Sequence, residues 1–210
     1  MVLAYYSDVA FLKDQDVFDK KINTLPKSFS DRVREYKLLD DRVRSLGGYL
    51  LLNNALETLK VPFGSRVITI DENGKPFIEN CSYFFNLSHS GERAFLTVSD
   101  KKVGCDVEKI REVDLNVAKR FFTEKESERL FDLGKEEQKT EFFKIWTRKE
   151  SFIKAVGKGF LIPLNSFSAS GNSVLLKADG EFYFTTRILG EYVLSVCSKE
   201  KDVSINGAKV

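Results

Sequence analysis

Asp106 and Glu108, set two apart in Gly104-Cys105-Asp106-Val107-Glu108, are the residues whose spacing first suggests chemistry. On an extended chain, side chains two apart leave the same face, so this pair sets two like charges side by side. A hard cation between them would relieve the repulsion. A second segment, WTRKESFIK at 146–154, runs on to Gly157-Lys158-Gly159. Its Glu150 and Lys154 form an i,i+4 pair on one helical face, which reads either as a surface ion pair or as a third carboxylate beside a phosphate partner. The third segment, Asn86-Leu87-Ser88-His89-Ser90-Gly91, holds the single histidine of the chain between two hydroxyls. A turn there can offer imidazole, hydroxyl and N–H groups to a phosphate. Without a second histidine it completes no zinc site.

Each segment alone also fits an ordinary solvated surface. Together they supply three acids, one imidazole and several cations, with no activated cysteine and no Ser-His-Asp set. That mixture suits a magnesium ion, with manganese as the alternative, gripping a pyrophosphate, because magnesium prefers carboxylate and phosphate oxygens. Phosphoryl transfer would then need charge neutralisation, alignment and a base for the nucleophile.

Positioning these groups calls for a β-rich middle flanked by helices. Residues 2–6 read as a strand. From Ser30 to Lys60, apolar residues at 33, 36, 39, 43, 46, 50 and 56 predict one long helix, with Ser30 as its N-cap and Pro62 past its end. Gly47-Gly48 inside it costs about 1 kcal/mol per glycine relative to alanine. Close approach of another backbone would explain that cost. Strands are predicted at 67–70 and 76–78 around an Asn73-Gly74 turn, then at 83–87, 94–98 and 103–108. Helices follow at 114–133 and 135–156, the second striped by Phe142, Phe143, Ile145, Trp146 and Ile153 and stopped by Gly157. Strands return through Tyr183 and 192–197. The fold class is α+β, with no internal repeat in the sequence.

The 210 residues suffice for one domain or two small halves. A net charge of +2 gives no case for nucleic acid, although Arg32, Arg34, Lys37, Arg42 and Arg44 form a local cluster that faces either an anionic ligand or solvent. Three isolated cysteines without CxxC spacing suit a reducing compartment and no zinc. No run approaches the ~20 apolar residues that span a bilayer. The N-terminus lacks a basic segment leading into an apolar one. A cytoplasmic protein away from membranes is expected.

In combination these motifs resemble the 4′-phosphopantetheinyl transferases of the larger surfactin-synthetase-activating (Sfp) type. The resemblance rests on FNLSHS at 85–90, GCDVE at 104–108, RFFTEKE at 120–126 and WTRKESFIKAVGKGF at 146–160, in the family's order and at similar intervals. It continues through Ile162-Pro163-Leu164 and covers most of the chain.

The resemblance implies a pseudo-twofold α+β fold of two similar halves, 1–101 on the coenzyme A nucleotide side and 102–210 with the magnesium carboxylates and carrier-protein docking. Each half would pack a small antiparallel sheet on a long helix. It implies Asp106, Glu108 and Glu150 as magnesium ligands, Glu150 also as base and Lys154 as the cation on the pyrophosphate. Arg32, Ser45, Lys75, Ser88 and His89 would join Lys154 in contacting coenzyme A. The implied partner of this monomer is an apo acyl or peptidyl carrier protein, met near Val117, Arg120 and Phe121 and steered by Lys119, Arg120, Lys125 and Arg129. Cys105 stands where the family usually has an aliphatic residue, and arginine and serine stand where it commonly has lysines before the long helix. Two rival activities use the same groups: a magnesium-dependent nucleotide hydrolase, here without a GxxxxGK[ST] loop, and a non-catalytic coenzyme A binder.

Overall fold

The computed structural model describes residues 1–210, the side chain of Phe160 excepted. Its strands are β1 (Val2–Asp8), β2 (Ile68–Ile70), β3 (Pro76–Ile78), β4 (Phe84–Ser90), β5 (Arg93–Ser99), β6 (Gly104–Lys109), β7 (Ser173–Leu176), β8 (Gly180–Leu189), β9 (Tyr192–Ser198) and β10 (Ile205–Gly207). Its helices are α1 (Gln15–Ile22), α2 (Lys27–Glu35), α3 (Leu39–Thr58), α4 (Asn116–Phe121), α5 (Glu124–Phe131) and α6 (Lys135–Val156).

A topological repeat underlies this order, although no sequence repeat announces it. In the first half, β1 leads to α3, and the hairpin β4–β5 returns so that β5 lies antiparallel between β1 and β4. In the second, β6 leads to α6, and β9 lies antiparallel between β6 and β8. The strand alternation of period two sorts the core into layers. Ala94, Leu96 and Val98 of β5 face α3, whereas Phe95 between them packs with Val107 of β6 and Leu194 of β9. On the far side, Cys197 and Phe182 pack with Phe152 and Ala155 of α6. The layers therefore run α3, first sheet, second sheet, α6. Ile205–Gly207 crosses back to pair parallel with β1, so the last strand belongs to the first sheet although it follows residue 102. No helix among the described residues is long and apolar enough to cross a membrane.

Three sequence expectations are corrected. The helix predicted from 30 to 60 is two helices, because Tyr36 and Leu38 are extended at ψ 136° and 138°. The periodicity runs across this break, but the charges reverse there: Arg32 and Arg34 end α2, and Asp40 and Asp41 open α3, each complementing its helix dipole. Ser30 lies inside α2 and donates to Lys27 O rather than capping a helix. The helix predicted at 114–133 is likewise two, α5 starting from a capping box in which Thr123 and Glu126 satisfy each other's backbone N–H. Helix α1, capped by Asp14, was not foreseen.

The third correction concerns Gly47. Its neighbour is a side chain, since a Cβ there would lie 2.2 Å from Val9 Cγ1. The close backbone approach occurs at Gly104 instead, where a Cβ would fall 2.1 Å from Ser151 O and 2.3 Å from Ala155 N. Absence of a side chain at 104 lets β6 lie against α6, and this brings the two acidic segments together.

Candidate active site

Strand β6 and helix α6 carry the groups that the sequence singled out. Asp106 is buried at 4% exposure, and its Oδ1 accepts from Lys154 Nζ at 2.5 Å and from Ser88 Oγ at 2.8 Å. Its Oδ2 is buried without a hydrogen-bond partner. Such an oxygen costs roughly 1–3 kcal/mol while it stays unpaired, more when charged. Glu108, two residues on, accepts through Oε2 from Ser90 Oγ and Arg111, each at 2.9 Å. Burial raises the Glu150 carboxyl above its ordinary value; Lys154 opposes this, and Asp106 and Glu108 add to it. Packing therefore makes Glu150 a stronger proton acceptor than its residue type predicts. Burial pulls the Lys154 ammonium down, but Asp106 outweighs it and Lys154 is held above its usual range.

The three acids are electrostatic neighbours, yet Lys154 lies on Asp106, and no group of three His, Cys, Asp or Glu among the described residues is gathered to hold a metal ion. What the cluster offers a divalent ion is its donor chemistry. All its candidate ligands are oxygens, and one of them is an orphaned, buried carboxylate oxygen, which fits a hard cation.

Segment 85–90 differs from its prediction. Strand β4 extends through Ser90, so Ser88, His89 and Ser90 pair with Phe95, Ala94 and Arg93 and do not form a turn. Alternation points buried Ser88 toward Asp106 and leaves His89 exposed on the other face. Packing around the imidazole nonetheless lowers its pKa, with Arg44 and Lys154 adding to the effect. Of the cations that act on the imidazole, Arg44 acts more strongly than Lys154, and it is ion-paired with Asp41 at 2.6 Å. Arg32 is engaged with Glu35 and Tyr49, and neither it nor buried Ser45 makes a described contact with the carboxylates.

Lys75 turns inward. Its Nζ donates to Lys154 O at 2.6 Å and Val103 O at 3.3 Å, and burial pushes its pKa down to about 8. It lines a 330 Å³ cleft with Pro76, Phe77, Tyr83, Lys102 and Gly157, between the β2–β3 ribbon and the end of α6. Cys105 is buried, and that burial pushes its thiol up to about 12, leaving it neutral and inert.

Sequence reasoning missed one pair altogether. Lys149 and Glu126, both at 0% side-chain exposure, form an ion pair of 2.8 Å. Lys149 Nζ also donates to Leu164 O and Phe167 O, while Glu126 accepts from Thr123 N and Ala169 N. The Thr-x-x-Glu capping signal at 123–126 could have located Glu126; nothing local marked Lys149 as its partner. Near this pair, Val117 and Phe121 are half-buried, Phe121 edge-on to Trp146, while Lys119, Arg120, Lys125 and Arg129 are exposed around them.

Comparison with known proteins shows the family. A family model described as "4'-phosphopantetheinyl transferase superfamily" matches residues 102–200, and one described as "4'-phosphopantetheinyl transferase, N-terminal" matches residues 13–101. The chain is 34% identical to 4'-phosphopantetheinyl transferase psf-1 of Bacillus pumilus, over 82% of this chain and 79% of that one. It is 32% identical to a 4'-phosphopantetheinyl transferase of Bacillus subtilis, over 88% and 86%. The match to 4'-phosphopantetheinyl transferase gsp of Aneurinibacillus migulanus is 38% identical over 73% of this chain and spans 65% of that relative. Two family models end to end, with relatives matched over most of both lengths, establish that this chain belongs to the 4'-phosphopantetheinyl transferase superfamily.

Proposed function

We propose that the chain transfers the 4′-phosphopantetheine arm of coenzyme A to a serine of an apo acyl or peptidyl carrier protein. The observation that carries this reading is the joint between β6 and α6. There Lys154 pairs with Asp106, Glu150 lies within electrostatic reach of Asp106, Glu108 and Lys154, and one buried carboxylate oxygen is left without a partner.

In the proposed reaction the carrier serine oxygen forms a bond to the β-phosphorus of coenzyme A. The bond from that phosphorus to the bridging oxygen breaks, and adenosine 3′,5′-bisphosphate leaves. Glu150 takes the serine proton, helped by the burial that raises its affinity for one. Lys154 supplies positive charge for the pyrophosphate, a role its retained charge allows. Asp106, Glu108 and Glu150 would hold magnesium, or manganese in its place. When bound, that ion supplies charge neutralisation for the phosphate oxygens. His89, with Arg44 acting on its imidazole, would contact a coenzyme A phosphate, and the cleft lined by Lys75, Tyr83 and Lys102 suits the nucleotide in size. Lys119, Arg120, Lys125 and Arg129 would steer an acidic carrier to α4 and α5. We place this activity in the cytoplasm and assign it to a monomer.

Intact mass of an apo carrier protein after incubation with the chain, coenzyme A and magnesium tests the reading. Gain of one phosphopantetheine arm supports it. No gain across several carriers, with free phosphopantetheine released, would instead identify a hydrolase.

A further inference from the structure

Strand β4 ends the first sheet and β6 ends the second, so each presents an edge. Edge strands carry backbone N–H groups that need partners, and a buried edge must find them. The two edges are not joined by a backbone ladder. Every second side chain of β4 bridges them. Asn86 Oδ1 accepts from Cys105 N at 2.8 Å, Ser88 Oγ from Val107 N at 3.3 Å and Ser90 Oγ from Lys109 N at 3.1 Å. The period of two on β4 meets the period of two on β6, so each rung satisfies one edge N–H.

The serine rungs do a second thing. A hydroxyl has one donor and two acceptor sites, so a serine that accepts an edge N–H still has its proton to give. Ser88 gives it to Asp106 Oδ1 and Ser90 to Glu108 Oε2, at 2.8 and 2.9 Å. Each serine thus holds one acid and the N–H of the residue that follows it. One oxygen of each carboxylate is fixed toward β4. At Asp106 the other is left buried and unpartnered.

We propose that Ser90, repeating what Ser88 does at Asp106, is a positioning residue for the divalent ion. It fixes Glu108 through Oε2 so that the free oxygen is presented beside that of Asp106. This inference rests on the reading of Asp106 and Glu108 as metal ligands and adds a residue that touches neither metal nor substrate. Ser90 is the cleaner of the two serines to test, because Ser88 also touches Lys154 at 3.3 Å. Exposed Arg111 shares Glu108 Oε2, so loss of Ser90 leaves Glu108 held by one solvent-exposed cation and leaves Lys109 N–H without a partner.

Outer hydrogen-bond partners of metal ligands typically contribute 10–100-fold to metal affinity. The test is titration of the full chain with manganese alone, free ion being read by electron paramagnetic resonance, with each variant's melting midpoint measured in parallel. Ser90→Ala is expected to weaken manganese binding about tenfold. Ser90→Thr, which keeps the hydroxyl, is expected to restore it to within about twofold of the parent, and Glu108→Ala to weaken it further than Ser90→Ala. Parental binding by Ser90→Ala alongside loss in Glu108→Ala would overturn the positioning role and leave the metal reading standing. Ser90→Thr as weak as Ser90→Ala would also overturn it, because the hydroxyl would then not be the operative group. Parental binding by Glu108→Ala would remove the metal reading and this inference with it.

Discussion

Two of the lysines on helix α6, Lys149 and Lys154, five residues apart, each pair with a buried acid from another element, and the two pairs are finished differently. Lys149 and Glu126 are closed off from water, and both are surrounded by partners: two carbonyls for the ammonium, two backbone N–H groups for the carboxylate. Lys154 and Asp106 are as close, but Asp106 keeps a buried oxygen with no partner and Lys154 remains partly open. A pair with every valence used ties α5 and the 164–169 segment to α6. A pair with one valence spare can take on another ligand. The difference teaches that burial alone does not separate a structural ion pair from a chemical one. The count of unsatisfied atoms does.

The largest expected effect breaks the closed pair. Glu126→Ala strands Lys149 in the interior and should cost about 3–5 kcal/mol, read from denaturant unfolding. A loss under about 1 kcal/mol would mean that water reaches the pair. Next comes the open site. Glu150→Gln should lower carrier modification about 100-fold while leaving the melting midpoint near that of the parent. A rate within about twofold of the parent would take the proton-accepting role from Glu150.

Replacing both closed partners, as Glu126→Gln with Lys149→Met, should cost only about 1 kcal/mol, well short of Glu126→Ala alone, because no charge is left stranded. A double variant as unstable as Glu126→Ala would show that the charges themselves hold the segment.

The smallest effect is a slope with pH. Burial pushes Glu126 up, but hydrogen bonds from Lys149 and Thr123 outweigh it and hold the carboxyl below the 4.5 of a free glutamate. A depressed acid stabilises the fold above its unfolded value and loses that contribution as pH falls through the folded one. Burial also lowers Lys149, against which Glu126 only partly compensates, but this lysine stays charged throughout the acid range in both states and adds no slope there. The stability gap between parent and double variant should therefore narrow as pH falls below about 4.5. A gap constant down to pH ~2 would place the stabilisation elsewhere.

How much was legible follows from the range over which each feature is decided. The pairing of Asp106 with Glu108 on one strand face, the i,i+4 placement of Glu150 and Lys154, and the α+β class are written in local spacing, and the structure keeps them. The helix break at 36–38 was hidden because its apolar period continues across an extended stretch, although the change from basic to acidic residues marks it. The Thr123–Glu126 capping box was equally readable.

By itself the sequence determined which side chains could do phosphate chemistry and, for Asp106, Glu108, Glu150 and Lys154, which face of which element each would occupy, because those properties depend on neighbours a few residues away. Only the tertiary structure decided that Ser88 and Ser90 hold the acids, that Arg44 acts electrostatically on His89, and that Lys75 turns inward. Those choices depend on where two sheet edges and a glycine-narrowed strand–helix contact come to rest. Local periodicity carries no record of them, since the partners are 18 to 79 residues apart.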